Sequence, residues 1–139
     1  MNKENSLNRF LDAQSRDYAT ALTEIKAGHK RSHWMWYIFP QVAGLGYSEM
    51  SKRYAISDLP EAKAYLSDPV LGRRLIEISQ ALLSLESKDA NSIMGSPDDL
   101  KLRSSMTLFS QVPGADPVFR AVIKKFFQGE KDKATLQML

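Results

Sequence analysis

The chain has 139 residues, of which 25% are charged and 43% hydrophobic, and its formal net charge is +3 at neutral pH. This length suits one domain with a substantial buried core, so we expect a single domain over residues 1–139. The absence of cysteine excludes disulfide bonds and thiolate chemistry. The mild positive charge permits an acidic partner but does not require one.

The sequence also bears on location. No apolar run follows the lysine near the start, so the N-terminal residues do not resemble a signal peptide. The longest apolar stretch, Trp34 to Pro40, is far shorter than the roughly 20 residues that a membrane span requires. We therefore expect a cytoplasmic protein without membrane contact.

Helical periodicity begins near the start of the chain. We expect a first helix with Asn5 or Ser6 as its N-cap and Gly28 as its stop. Ser48 predicts the start of a short helix that runs to Tyr54. The apolar stripe of the first helix comprises Leu7, Phe10, Leu11, Tyr18, Leu22 and Ile25.

Two helices are predicted around a proline in the middle of the chain. The first runs from Leu59 to Leu66 and ends at Asp68-Pro69. The same pair predicts the start of the second, because proline is tolerated at the first helical position. The buried stripe of this second helix comprises Leu71, Leu75, Ile78, Leu82 and Leu85.

Three further helices follow. In "SPDDLKLRSSMTLF", Ser96 is the expected N-cap, with Pro97 in the first turn and two aspartates near the positive end of the helix dipole. Another helix is expected from Asp116 to Gly129, and Asp132 predicts a last one that ends at Leu139. The side chains expected to face inward in the Asp116 helix are Phe119, Val122, Ile123, Phe126 and Phe127.

No segment alternates apolar and polar residues as a half-buried strand does. The sequence therefore predicts an all-α protein, a compact multihelical domain of about six to eight helices.

The segment "SHWMWYIFPQ", residues 32–41, contains both tryptophans. On a helix, residues 34–37 point around the whole circumference. Either the segment is buried on all sides, or part of it lines a cavity, and both interpretations stay open. In each case the two indole N–H groups and the ring of His33 need hydrogen-bond partners.

The neighbourhood of this segment is basic. No acidic residue occurs between Glu24 and Glu49, while lysine, arginine and histidine are frequent there. The segment leads into "GLGYS", where Gly44 and Gly46 allow a tight turn before Ser48. A third glycine and a preceding strand are missing, so this is neither a dinucleotide fingerprint nor a P-loop.

A second acid-free region runs from Leu100 to Ala115. On a helix, Lys101 shares a face with Ser104 and Ser105, but the nucleophilic Ser-x-x-Lys motif has the opposite order. A solvated face is the plainer interpretation of Lys101 and Ser105. We expect Lys101 to approach the aromatic segment, because two neighbouring acid-free regions create a local positive potential.

A metal site is not predicted. His29 and His33 have the i,i+4 spacing of two zinc ligands on one helix, but Gly28 and Ser32 interrupt that helix. No further histidine exists to complete a catalytic zinc site.

Four segments together resemble a known bacterial family, the domain of unknown function 1810. They are "GHKRSHWMWYIFPQVAGLGYSEMSKRYAI", "EAKAYLSDPVLGRRL", "KLRSSMTLF" and "FFQGEKDKATLQML", and the resemblance covers Phe10 to Leu139. It implies a compact all-helical domain, with no established activity and no cofactor. Family members have sometimes been labelled calpastatin, but such inhibitors are disordered repeats, whereas this chain has a core-forming pattern.

The resemblance also implies which residues carry the family signature. A polar subset of them has no obvious packing role, which favours a pocket. The signature residues are His33, Trp34, Trp36, Phe39, Pro40, Gln41, Gly44, Gly46, Ser48, Tyr54, Lys101, Ser104 and Thr107.

We weigh three functions. The first is a pocket for a small anionic ligand such as a nucleotide or phosphorylated metabolite, with or without catalysis; a tryptophan would stack on a base, Lys101 or Lys30 would contact phosphate, and His33 would act as donor or acid–base. The second is a helical adaptor that presents an apolar groove to a protein. Nucleic-acid binding is disfavoured, because no helix carries a dense basic face. The expected ligand-binding residues are His33, Trp34, Trp36, Gln41, Ser48, Tyr54, Lys101 and Ser104.

Overall fold

The computed structural model describes residues 7–139, and within that range the chain is all-helical. Nine helices occur there, one more than the upper expectation, because the shortest are too brief for a periodic pattern to reveal them. The helices are α1 Asn8–Lys26, α2 Met35–Ile38, α3 Glu49–Arg53, α4 Leu59–Ser67, α5 Leu71–Leu83, α6 Ala90–Met94, α7 Asp98–Ser110, α8 Val118–Phe127 and α9 Lys133–Met138. None of these helices is long and apolar enough to cross a membrane.

Several predicted helix ends are confirmed. Gly28 lies two residues after Lys26, the last residue of α1, and has φ +79°, the left-handed conformation that ends a helix and favours glycine. The Ser48 Oγ accepts a hydrogen bond from the Ser51 N–H at 3.1 Å and so caps α3. The predicted cap of α1 at Asn5 or Ser6 lies outside the described residues.

Asp68 serves the two helices around it, as predicted. Its own N–H continues the hydrogen bonding of α4, and its carboxylate accepts from the Val70 and Leu71 N–H groups at 2.9 and 3.0 Å. The helix α5 begins at Leu71, two residues after Pro69 rather than at it. The capping side chain therefore lies two residues before the N-cap position, which is Val70.

The expected cap at Ser96 is wrong. Pro97 is the N-cap residue of α7, and no side chain among the described residues makes a capping hydrogen bond there. The Ser96 hydroxyl lies one residue too early in the chain to act as the N-cap. Instead, the Asp99 N–H donates to the Gly95 carbonyl at 2.8 Å, and the Leu100 N–H donates to the Asp99 carboxylate at 2.9 Å.

The core lies around α7, which packs against α4, α6, α8 and α9. From Ser104 to Ser110 every residue of α7 is buried. The expected stripe of α5 is buried from Leu71 to Leu82, but Leu85 is only partly buried.

The inward face predicted for α8 is only partly correct. Phe119, Val122 and Ile123 are buried, whereas Phe126 and Phe127 are half-buried. These two phenylalanines occupy the last turn of α8, next to the left-handed Gln128 that ends the helix. Both still pack against the core, so the five side chains turn inward as predicted, but burial is incomplete at the end of the helix.

Candidate functional site

The aromatic segment combines core residues with surface residues. Met35, Tyr37 and Ile38 of α2 are buried, and Trp34 is only 1% exposed. Trp36 is half-buried and His33 is exposed. The two interpretations of this segment thus apply to different residues, because most of it is core while Trp36 and His33 reach the surface.

Trp34 is held from three sides. Its Nε1–H donates to the Glu24 carboxylate at 2.9 Å, and its ring packs against Phe39 with 6.2 Å between the ring centres. The Lys30 ammonium lies 4.8 Å from the ring centre of Trp34, in cation–π geometry. Trp34 therefore anchors the segment to the core.

Glu24 organises the loop between α1 and α2. Its carboxylate accepts from the Arg31 N–H at 2.8 Å, the Ser32 N–H at 2.9 Å and the Ser32 hydroxyl at 2.5 Å, besides the Trp34 indole. Burial raises the pKa of Glu24, but these hydrogen bonds to the ionised form outweigh it and bring the pKa to about 2. The carboxylate is thus ionised at neutral pH and fixes the approach to Trp34.

One aspartate joins two lysines beside the tryptophans. Asp98 accepts from Lys30 at 2.9 Å through one oxygen and lies 3.9 Å from Lys101 through the other. The Lys30 side chain is 7% exposed and also donates to the Ser32 carbonyl at 2.5 Å, whereas the Lys101 side chain is 25% exposed. Lys30 is therefore firmly bound and Lys101 only loosely.

Lys101 lies next to the aromatic segment, as the charge pattern predicted. Its ammonium lies 5.5 Å from the ring centre of Trp36. We call the group Lys30, Trp34, Trp36, Asp98 and Lys101 the tryptophan–lysine cluster. It brings residues of the two acid-free regions into one place.

The expected positive potential is partly cancelled there. Glu24 and Asp98 come from just outside the two acid-free regions, and their carboxylates lie against Trp34 and the two lysines. An acid-free stretch of sequence therefore does not give an acid-free site, because the ends of neighbouring helices contribute their own charges.

Gln41 and Ser48 belong to a different place, the turn before α3. Gln41 lines a cavity of about 150 Å³ together with Gly44, Gly46 and Lys52. Ser48 is exposed, and its hydroxyl caps α3. The contacts of these two predicted residues within residues 7–139 do not include the tryptophan–lysine cluster.

Tyr54 is buried, with ring centres 5.1 Å from Tyr37 and 5.9 Å from Phe10. Ser104 is also buried, and its hydroxyl contacts the Leu100 carbonyl and the Asp132 carboxylate, each at 3.2 Å. Both side chains thus connect neighbouring helices.

The solvated face expected for Ser105 is wrong. This serine is fully buried, and its hydroxyl has no hydrogen-bond partner within residues 7–139. The cause is the central position of α7, which is surrounded by α4, α6, α8 and α9. Lys101 lies one turn earlier, where the helix reaches solvent.

Sequence reasoning missed a polar network on α1. The Gln14 amide donates to the Tyr37 carbonyl at 2.8 Å and to the Tyr65 hydroxyl at 2.9 Å, and Arg74 donates to the other end of this amide at 3.4 Å. The Tyr37 hydroxyl donates to Asp17. Burial is the main cause that raises the pKa of Tyr37, and the hydrogen bond to Asp17 raises it further. The sequence did contain a signal for this network, because the polar Gln14 lies between Phe10 and Tyr18 on the apolar stripe of α1.

No group of three or more histidine and carboxylate side chains that could hold a metal ion occurs in the part of the chain that is described. His29 and His33 are both exposed.

Comparison with known proteins places the chain in a family. Residues 4–139 match the family described as protein of unknown function (DUF1810). The fold is similar to the crystal structure of the conserved hypothetical protein Rv1873 from Mycobacterium tuberculosis, with a TM-score of 0.93 and 44% sequence identity over 96% of this chain and 95% of that one. No curated protein matches the chain. The chain thus belongs to the DUF1810 family of proteins of unknown function.

Proposed function

We propose that the chain binds a small anionic ligand with a flat ring, such as a nucleotide or an aromatic phosphorylated metabolite, at the tryptophan–lysine cluster. The observation that carries this proposal is the position of the Lys101 ammonium, 5.5 Å from the ring centre of the half-buried Trp36. An ammonium beside an accessible indole matches a ligand that combines negative charge with a ring.

Lys101 is the group that meets the ligand charge. Its contact with Asp98 is 3.9 Å long and partly exposed, and such surface ion pairs contribute only about 0–1 kcal/mol. A phosphate group can therefore replace Asp98 as the partner of the Lys101 ammonium at little cost in free energy. Lys30 keeps its place, because its 2.9 Å contact with Asp98 is buried.

Trp36 and His33 supply the other contacts. The indole of Trp36 stacks on the ring of the ligand, and stacking on aromatic side chains contributes about 1–3 kcal/mol per base. His33 is exposed at the start of the same segment and offers an N–H donor or an acid–base group. A phosphate dianion carries more negative charge than a single carboxylate and is therefore attracted more strongly to the Lys101 ammonium.

A thermal-shift screen against nucleotides and phosphorylated metabolites tests the proposal. A ligand at about a hundred times its dissociation constant adds roughly 2.7 kcal/mol to the free energy of unfolding. Lys101→Gln should reduce this stabilisation to roughly 1.4 kcal/mol at the same ligand concentration, because we expect an affinity about tenfold weaker. Lys63→Gln, at an exposed position on α4, should keep the full stabilisation. A screen without a stabilising compound, or equal stabilisation of the Lys101→Gln protein, contradicts the proposal.

A second candidate, a protein-binding adaptor, has an observation of its own. Tyr47 in the turn before α3 is 86% exposed, and exposed apolar side chains follow at the end of α9, namely Leu136, Met138 and Leu139. Exposed apolar side chains that group together are typical of a contact with another protein. Affinity capture tests this role by comparing the proteins that bind the wild type with those that bind Tyr47→Ser. If both capture the same set of proteins, the role is contradicted.

A cytoplasmic location in bacteria is also part of the proposal. It is supported by the absence of cysteine, which suits a reducing compartment.

A further inference from the structure

The cavity between the Gly44–Gly46 turn and α3 is not used by the proposed function. Its volume is about 150 Å³. A space of this size is large enough for a phosphate or carboxylate group.

The walls of this cavity are fixed by the backbone. The Ala43 N–H donates to the Ile56 carbonyl at 2.8 Å, and the Ile56 N–H donates to the Gln41 carbonyl at 2.9 Å, so the turn is bound to the segment after α3. At Gly46 a Cβ atom would lie 2.5 Å from the Ser51 Cβ, so only glycine permits this close approach. The cavity is therefore preformed.

Three polar side chains on its lining have hydrogens to donate. Ser51 Oγ accepts from the Ser48 hydroxyl at 2.9 Å, which leaves its own hydrogen free. The Gln41 amide makes no hydrogen bond to any other described residue, and Lys52 forms no ion pair within residues 7–139. No carboxylate occurs among the described residues that line the cavity.

We propose that this cavity binds a small oxyanion through the Lys52 ammonium, the Gln41 amide and the Ser51 hydroxyl. Side chains that carry an ammonium, an amide N–H and a hydroxyl, on a lining without carboxylates, favour a group that accepts hydrogen bonds and carries negative charge. Phosphate and carboxylate are the common groups of this kind. The site is separate from the tryptophan–lysine cluster and needs no contribution from Lys101.

Nuclear magnetic resonance of the full-length ¹⁵N-labelled chain tests this proposal. Inorganic phosphate is added against sodium chloride of equal ionic strength, and the amide signals of Gly44, Gly46 and Ser51 are followed. We expect saturable shifts of these amides, and Lys52→Gln should weaken the affinity about tenfold, since it removes a charge-assisted hydrogen bond. Lys63→Gln is the matched control and should bind as the wild type does.

Two additional arms identify the source of the anion and separate this site from the proposed function. Acetate and glycerol phosphate replace inorganic phosphate; tighter binding of glycerol phosphate at the same amides means that the cavity holds the phosphate group of a larger ligand. Lys101→Gln should leave the shifts at Gly44 unchanged. The proposal is overturned if no anion gives saturable shifts, if Lys52→Gln binds phosphate equally well, or if Lys101→Gln abolishes the shifts.

Discussion

Replacing Glu24 with glutamine tests how the aromatic segment is held in place. The carboxylate accepts hydrogen bonds from the Arg31 and Ser32 N–H groups and from the Trp34 indole at 2.8, 2.9 and 2.9 Å. Glutamine keeps one oxygen acceptor but loses the charge. A hydrogen bond to a charged group contributes about 1.5–3 kcal/mol and a neutral one about 0.5–1.5 kcal/mol. Because Glu24 is partly exposed and screened by solvent, we expect a total loss of about 2 kcal/mol.

The pH dependence of this loss follows from the pKa of Glu24. Burial raises that pKa, but the hydrogen bonds lower it further, to about 2 in the folded protein, against an ordinary value of 4.5. A carboxyl group with a lowered folded-state pKa contributes stability that is complete above the unfolded-state pKa and is lost as the pH falls through the folded-state value. The difference between the wild type and Glu24→Gln should therefore be constant above about pH 5.5 and shrink between about pH 4.5 and 2.

Urea unfolding followed by circular dichroism at a series of pH values measures both quantities. Glu86→Gln is the control, because Glu86 is exposed and forms no ion pair with another described residue. The reasoning is refuted if Glu24→Gln costs less than about 0.5 kcal/mol at neutral pH, the size of an ordinary surface effect. A loss that stays the same down to pH 2 refutes it as well.

Four further substitutions have defined outcomes. Gln14→Leu should lower the free energy of unfolding in urea by about 1–3 kcal/mol, because it leaves the buried Tyr65 hydroxyl without its amide donor. Asp98→Asn should strengthen binding of phosphate-containing ligands in calorimetric titrations, because it removes the carboxylate that competes for the lysines of the tryptophan–lysine cluster. Phe119→Ala should cost about 3–5 kcal/mol in urea unfolding. Phe126→Ala should cost clearly less than that, because its ring is half-buried, and equal losses would contradict the packing described for α8.

Much of the fold was predictable because helix ends are specified locally. Gly28, Ser48 and Asp132 each act within a few residues of their own position, so the sequence alone indicates them. The helix α6 was missed although Asp89 caps it, because five residues are too few for an apolar period. The incomplete burial of Phe126 was missed because periodicity does not show where the core ends along a helix.

The candidate site was predictable only in part. The two acid-free regions correctly indicated that Lys101 approaches the aromatic segment. This was possible because the distribution of basic and acidic residues along the chain is visible in the sequence. The sequence did not indicate that two carboxylates would partly neutralise the charge of the tryptophan–lysine cluster. Glu24 reaches it from the last turns of α1, and Asp98 from the first turn of α7. Their arrival depends on how the helices pack, which no local pattern contains.

The most direct test of the proposed function is a tryptophan fluorescence titration with adenosine monophosphate, which combines a flat ring with a phosphate dianion. Trp34 is 1% exposed and Trp36 is half-buried, so a stacked ligand should quench the emission of Trp36 alone. The account predicts saturable quenching in the wild type, loss of that quenching in Trp36→Phe, and an affinity weakened about tenfold in Lys101→Gln. Equal quenching of the wild type and Trp36→Phe, or no saturable quenching of the wild type at millimolar ligand, would contradict it.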